Sequence, residues 1–136
     1  MCYFMFAITE NEIDPVVIDK NEKYDLYIRD YTAFVKDVNK NQYYYDISNG
    51  HCACEIVVSS FSKINEVKEL LRSLRGKESF RFVVIDSEDE EKYLSLEHNQ
   101  EFEKTLLSFE KEKIKIENLL EKYPNTLDFN KVYIVE

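Results

Sequence analysis

The side chains best suited to metal binding or thiol chemistry lie close together in the segment GHCAC, residues 50–54. His51, Cys52 and Cys54 carry an imidazole and two thiols, and the third cysteine of the chain, Cys2, stands near its beginning. Cysteine thiolate and imidazole nitrogen are ligands that zinc prefers in proteins. If the strand that begins at Cys2 lies beside this segment, we predict a candidate zinc site of Cys2, Cys52, Cys54 and His51.

The spacing of these residues limits the metal hypothesis and leaves two other thiol chemistries open. In an extended chain Cys52 and Cys54 face the same side, whereas His51 faces the other, and the Cys-x-Cys gap is tighter than in common zinc sites. A redox thiol pair is the second hypothesis, although its usual spacing is Cys-x-x-Cys. In the third, removal of Met1 exposes Cys2 as a catalytic nucleophile whose own α-amine acts as the base.

A structural role for the cysteines is the fourth hypothesis. Free cysteine is among the residue types most often buried, so all three thiols could point into the core, with His51 as a turn residue beside Gly50. The sequence contains no phosphate-binding loop, no G-x-S-x-G nucleophile elbow and no H-E-x-x-H metal motif. The prediction therefore leans away from an enzyme.

The composition is typical of a folded, acidic protein. The 136 residues carry a formal net charge of −9, and 44% of them are hydrophobic, which suffices for one domain, residues 1–136, with its own core. The negative charge disfavours nucleic acid and anionic membranes as partners and favours a basic protein. The sequence has no apolar run of membrane-spanning length and no signal-peptide pattern, and its odd number of cysteines fits a reducing compartment, so we expect a cytoplasmic protein.

Hydrophobic alternation predicts the strands that position these residues. The first is apolar on both sides and is expected near the middle of a sheet. The Asn49-Gly50 dipeptide predicts a turn that leads into another strand at residues 51–58. The predicted strand segments are CYFMFAIT, YDLYIRD, QYYYDIS, HCACEIVV, SFRFVVID and KVYIV.

Two long helices complete the prediction. The first follows Ser62 as its cap and ends at Gly76, with an apolar stripe at helical spacing. The second covers residues 102–123, where Pro124 ends the pattern. Apolar residues at helical spacing after Asp30 predict a further, shorter helix. Pro15 predicts an irregular connection. The expected fold is a single α/β (α+β) domain whose mixed sheet of about five strands packs against two main helices.

Two further features could bind a partner, but each is more typical of a structural role. The run DSEDEE at residues 86–91 could attract calcium or a basic partner, but it lacks the ligand pattern of an EF-hand and predicts a solvated loop. Of the three tyrosines at 43–45, two are expected to pack on opposite faces of the sheet.

Several short segments give the chain a resemblance to a family. The opening MCYFMFAI, the central YDISNGHCAC, INEVKELLRSL, FRFVVID and the closing NKVYIV resemble a group of short bacterial proteins of unassigned activity, with a Met-Cys-Tyr-Phe start and a central Cys-x-Cys pair. The group often shows Cys-Asp-Cys followed by a glycine-containing stretch, whereas here Ala53 separates the cysteines and Glu55 follows. The resemblance implies that Cys2, Cys52 and Cys54 form a linked set.

These observations leave three functional hypotheses. The first is a small domain organised by a metal or thiol site of Cys2, Cys52, Cys54 and His51, with zinc as the cofactor. The second is an acidic interaction module of inhibitor or immunity type that binds a basic protein. The third is a thiol-dependent enzyme that uses Cys2.

Overall fold

The computed structural model describes residues 3–39, 41–50, 53–58, 63–86 and 101–136. Within them the chain forms one mixed sheet of six strands with helices on both faces, so the predicted α+β class is confirmed and the sheet has one strand more than expected. The strands are β1 (Tyr3–Thr9), β2 (Tyr27–Asp30), β3 (Tyr43–Ser48), β4 (Phe80–Asp86), β5 (Glu110–Ile114) and β6 (Lys131–Val135). The helices are α1 (Pro15–Glu22), α2 (Cys54–Val58), α3 (Ile64–Arg75), α4 (Phe102–Leu107) and α5 (Ile116–Lys122), with a 3₁₀ turn at Thr32–Phe34.

The first strand lies in the interior of the sheet, as its two apolar faces predicted. The strand order is β2-β3-β1-β4-β6-β5, and Met5 of β1 pairs with Ile47 on one side and Val84 on the other. All neighbouring strands are antiparallel except β5 and β6, which are parallel. Because β1 is covered on both faces, almost all of its side chains are buried.

Each face of the sheet carries its own core. One face packs against α1, α2, α3 and α5, and the predicted apolar stripe of α3 supplies Val67, Leu70, Leu71 and Leu74 to it. The other face packs against α4 and the segment 31–35. Tyr44 and Tyr45 are buried on opposite faces, which confirms the expected division of the tyrosine run.

The irregular connection predicted at Pro15 is wrong, because α1 begins there. Proline is well suited to the first position of a helix, where its missing N–H needs no partner. The Asp14 side chain accepts a hydrogen bond from Val16 N at 2.9 Å and so caps the helix. With Asp14 as the cap before it, Pro15 therefore marks the start of a helix and not an irregular connection.

The helix predicted after Asp30 is also wrong, apart from the 3₁₀ turn. The Asp30 carboxylate does cap the turn, accepting from Thr32 N at 2.9 Å. However, Tyr31 N donates to the Tyr44 carbonyl at 2.7 Å, which keeps the segment attached to the sheet. The chain is extended again at Val35, where ψ is 118°.

The long helix predicted over residues 102–123 is interrupted by a strand. Helices α4 and α5 occupy its two ends, and β5 lies between them in parallel register with β6. The α3 prediction holds better, although the structure places the cap at Lys63, and Ser62 lies outside the described residues. Gly76 follows α3 with a right-handed φ of −62°, so the helix end uses no left-handed glycine.

Candidate functional site

Of the residues predicted for a metal or thiol site, the structure describes Cys54 alone. Cys2, His51 and Cys52 lie outside the described residues. Cys54 is partly buried at the first position of α2, and its Sγ accepts a hydrogen bond from Tyr3 N at 3.4 Å. Ala53 N in turn donates to the Tyr3 carbonyl at 2.8 Å. The start of α2 is thus attached to the beginning of β1.

The strand predicted at residues 51–58 is wrong over its described part, since residues 54–58 form α2. Ala53, Ile56 and Val57 are buried at helical spacing against the sheet, which favours a helix over an alternating strand. Cys54 therefore begins a helix and does not lie on an alternating strand, while Cys52 lies outside the described residues. The predicted turn before it is supported, because β3 ends at Ser48 and Gly50 has a φ of 135°, a conformation that favours glycine.

The described ranges contain no group of three or more His, Cys, Asp or Glu side chains arranged to hold a metal ion. Of the acidic run 86–91, only Asp86 is described, and its backbone N donates to Asn130 Oδ1 at 3.0 Å. The remainder of that run and His98 lie outside the described residues.

A groove between α1 and α3, which we call the α1–α3 groove, is a concave surface lined by charged and apolar residues. It consists of two adjoining depressions of about 240 and 290 Å³ that share Val17 and Ser73 as lining residues. The start of α1 faces the end of α3, and the end of α1 faces the start of α3. The other lining residues are Thr9, Asn11, Glu12, Ile13, Asp14, Leu74, Lys77 and Glu78 in the smaller depression and Lys20, Asn21, Tyr24, Asn65, Glu66, Glu69 and Leu70 in the larger.

The floor of the α1–α3 groove is apolar and its walls are acidic. Ile13, Leu70 and Leu74 are buried there and belong to the core of the sheet. The groove is lined by five carboxylates, of Glu12, Asp14, Glu66, Glu69 and Glu78, against two ammonium groups, of Lys20 and Lys77. Its formal charge is therefore −3, which is five negative charges less two positive ones.

Hydrogen bonds hold one end of the groove in place. The Glu78 carboxylate accepts from Glu10 N at 2.5 Å and from Asn11 Nδ2 at 2.6 Å. These bonds connect the segment after α3 to the segment between β1 and α1. Because both walls are fixed to each other, this end of the groove is preorganised for a ligand.

Two apolar side chains of this region are exposed to solvent. Val16 on α1 has 70% of its surface exposed, and Tyr24, just after α1, has 55%. Single exposed apolar residues are ordinary, but Tyr24 also lines the groove. Tyrosine provides rigid contact area with a polar end, a property common in protein interfaces.

A second polar cluster lies at the other face of the sheet, where Arg81 of β4 binds Glu103 of α4. Arg81 Nη2 and Nη1 donate to the Glu103 carboxylate at 2.5 and 3.0 Å, and the Tyr44 hydroxyl donates to the same carboxylate. Asp37 caps this helix by accepting from Lys104 N at 2.9 Å. The cluster attaches α4 to the sheet.

Burial and hydrogen bonding shift the pKa values in this cluster. Burial, reinforced by the bond to Glu103, raises the pKa of Tyr44 to about 12. For Glu103, burial disfavours the charged form, but the hydrogen bonds from Arg81 and Tyr44 outweigh it and lower its pKa. The groups satisfy one another, so we assign the cluster a structural role.

Reasoning from sequence missed the α1–α3 groove and this cluster. The groove requires α1, which was not predicted, and brings together segments about fifty residues apart in the chain. The one available signal was the polar side of the predicted α3, which includes Glu66 and Glu69.

Comparison with protein-family models, with curated proteins and with solved structures found no match to this chain. None of the helices in the described ranges has the length and apolar character needed to cross a membrane.

Proposed function

We propose that this protein is an acidic interaction module that binds a basic segment of a partner protein in the α1–α3 groove. The observation that carries the proposal is the combination of an apolar floor with five carboxylates in one concave surface. An apolar floor contributes contact area, while the carboxylates select positive charge and reject acidic ligands.

The form of the groove suits a peptide segment. Its two depressions, of about 240 and 290 Å³, follow one another along the space between α1 and α3. Two adjoining depressions of this size suit successive side chains of one peptide. Lysine and arginine fit best, because their methylene stems can lie on the floor while their charged ends reach the walls.

The charge of the whole chain supports the same partner. A net charge of −9 attracts a basic protein over a distance and speeds its association, an effect that salt weakens. An inhibitor or immunity-type role, in which the acidic module covers a basic surface, is the form of this function that we favour. The cysteine usage supports the cytoplasm as its location.

The experiment is a selection of random dodecapeptides from a displayed library against the full-length protein. We expect enrichment of peptides that combine lysine or arginine with apolar residues, and binding that weakens as salt is added. The variant Glu12→Gln/Glu69→Gln removes two charges from the groove. Its control is Glu117→Gln/Glu121→Gln, which removes two exposed charges from α5.

The proposal is contradicted if no basic peptide is enriched. It is equally contradicted if the groove variant and the α5 variant weaken binding by the same factor, because that result would trace binding to net charge alone.

A second candidate function is the metal or thiol site, and the contact between Tyr3 N and Cys54 Sγ favours it. Cys2 directly precedes Tyr3 in the sequence, which is the reason for including it in the proposed set. We propose Cys2, Cys52, Cys54 and His51 as its members, with zinc as the metal, and Cys2 as the nucleophile if the site is catalytic. The resemblance of the sequence to short bacterial proteins with a Cys-x-Cys pair is a further reason to propose this set.

Native mass spectrometry with and without a chelator tests the second candidate. A mass increment of one zinc ion that disappears with chelator, and in the variant Cys2→Ser, is the expected result. An apo mass together with three thiols that react only after unfolding would refute both the metal and the redox forms of the proposal.

A further inference from the structure

The outer strand β2 has backbone groups that are available for pairing with a further strand. In the sheet order, β2 has β3 as its one neighbour. Tyr31 N donates to the Tyr44 carbonyl at 2.7 Å, and since hydrogen bonding to an antiparallel neighbour alternates along a strand, the backbone of Arg29 also points toward β3. The backbone groups of Ile28 and Asp30 therefore point away from β3, and no backbone group of the described residues bonds to them. Such an edge can accept another strand.

The side chains of β2 suit pairing with a second copy of the same strand. With Ile28 on a two-fold axis perpendicular to the sheet, the outward N–H and C=O groups of Ile28 would bond to those of Ile28 in the other copy. Tyr27 of each copy would then lie opposite Arg29 of the other, in a pair whose side chains are close together. A guanidinium group is attracted to the face of a tyrosine ring, and Arg29 already lies 5.5 Å from the centre of the Tyr27 ring within one chain. Pairing would thus place two attractive tyrosine–arginine contacts on one face.

Other alignments of two β2 strands are less favourable. An axis at Arg29 or at Asp30 places two like charges directly opposite each other, which is destabilising. An axis at Tyr27 places Asp25 opposite Arg29, but Asp25 has a φ of 59° and is not extended. The alignment on Ile28 therefore combines an extended backbone with neighbours that attract each other.

We propose that β2 is a self-association surface, through which two copies of this protein join their sheets into one continuous sheet. Because β2 is four residues long, the new ladder is short and the dimer is a reversible one. Since the axis is perpendicular to the sheet, the α1–α3 grooves of both copies would lie on the same face. A partner with two basic segments would then bind more tightly than a partner with one. The surface itself is independent of the proposed function of the groove.

The net charge gives this self-association its own salt dependence. Each copy carries a formal charge of −9, so two copies repel each other. Salt screens this repulsion, and the dimer should therefore strengthen as salt is added. Binding of a basic peptide in the groove should weaken under the same conditions, so the two interactions are distinguishable.

Sedimentation velocity of the full-length protein over a range of concentrations tests the proposal. We expect a monomer–dimer equilibrium in which the dimer fraction rises with protein concentration and with salt. The variant Tyr27→Arg places arginine opposite Arg29 twice in the dimer and should raise the dissociation constant about tenfold or more. Glu117→Gln, at an exposed position of α5, changes the net charge by the same amount and should leave the dissociation constant nearly unchanged.

A mixture of two variants tests the alignment. Arg29→Glu removes the attraction to Tyr27 from both pairs, so this variant should also dimerise weakly. When it is mixed with Tyr27→Arg, the introduced arginine of one copy lies opposite the introduced glutamate of the other, while the second pair keeps the original tyrosine and arginine. Association should therefore return toward that of the original protein, which also verifies that both variants are folded.

Three results would overturn the proposal. The first is a protein that stays monomeric at every concentration up to its solubility limit, at low and at high salt. The second is a dimer that Tyr27→Arg and Glu117→Gln weaken equally, because the contact would then lie elsewhere. The third is a mixture of the two β2 variants that associates no better than either variant alone, because the two side chains would then not lie opposite each other.

Discussion

The ion pair between Arg81 and Glu103 gives the sharpest stability prediction. The substitution Glu103→Gln removes the charge that Arg81 contacts at 2.5 and 3.0 Å and that the Tyr44 hydroxyl also contacts. The two charged side chains are only 23% and 17% exposed, so water can compensate for little of the loss. Besides the amide oxygen of the introduced glutamine, Arg81 would keep Gln42 Oε1 as a neutral acceptor at 3.4 Å.

The expected loss is about 3 kcal/mol in the free energy of unfolding. Removing one member of a buried ion pair costs about 3–5 kcal/mol, and the remaining exposure together with the oxygen of glutamine places this variant at the lower end. For a chain of this length the melting temperature should fall by roughly 10 °C. Urea unfolding at pH 7, followed by far-ultraviolet circular dichroism, measures the free energy.

The control is Glu101→Gln, next to the start of the same helix. Glu101 pairs with Lys104 at 3.3 Å, but both side chains are well exposed. Exposed pairs contribute about 0–1 kcal/mol, so the control should lose less than about 1 kcal/mol.

The effect of Glu103→Gln should also depend on pH. The pKa of Glu103 lies below its usual value of 4.5 in the folded protein, so the unfolded chain takes up this proton first as the pH falls. The stabilisation from its charge is complete above pH 4.5 and is lost as the pH falls through the lowered pKa. The difference between the original protein and the variant should shrink over that range. A loss no larger than that of the control, or a difference unaffected by acid, would refute the reasoning.

Further predictions concern the buried tyrosine, the core and the groove. Because burial raises the pKa of Tyr44 from 10.0 to about 12, stability should fall as the pH rises above 10, and Tyr44→Phe should reduce that fall, as measured by urea unfolding at alkaline pH. Leu71→Ala should lower the free energy of unfolding by about 2–5 kcal/mol, whereas Leu107→Ala, at a side chain 68% exposed, should change it by less than about 1 kcal/mol. Peptide binding in the groove should weaken with each increase in salt, and affinity independent of salt would contradict the role of its carboxylates.

Much of the sheet could be predicted from the sequence because its strands have clear patterns. In β1 and β4, apolar side chains occupy both faces, which is the pattern of strands inside a sheet. The α3 stripe was equally clear, since Val67, Leu70, Leu71 and Leu74 recur at helical spacing and are all buried. In these segments local pattern and tertiary burial agree.

The errors arose where tertiary contacts decide between two local possibilities. Phe102, Leu106 and Phe109 fit a helix that could have continued, but residues 110–114 complete the sheet beside β6. The segment 53–58 contains β-branched residues typical of strands, yet its buried side chains have the spacing of a helix. Neither outcome follows from local preference, because the neighbouring strand or sheet face comes from a distant part of the chain.

The candidate site could be predicted only in part, for a related reason. The thiol hypothesis depended on residue types that are visible in the sequence, and the proximity of Cys54 to the start of β1 agrees with one of its premises. The groove depends on the side-by-side packing of α1 and α3.

The alternating charges of β5 have a consequence for contacts between copies of this chain. As the last strand in the sheet order, β5 has Lys111 and Lys113 on one side and Glu110 and Glu112 on the other. In an antiparallel pair, hydrogen-bonded and non-hydrogen-bonded positions alternate. A two-fold axis repeats each pair with its two residues exchanged, and the repeated pair must be of the same type. Only residues that are an even number of positions apart in the sequence can therefore lie opposite each other. Two β5 strands related by such an axis would therefore place lysine opposite lysine or glutamate opposite glutamate, which is destabilising. The charge pattern of β5 therefore disfavours pairing between the sheets of two copies through this strand.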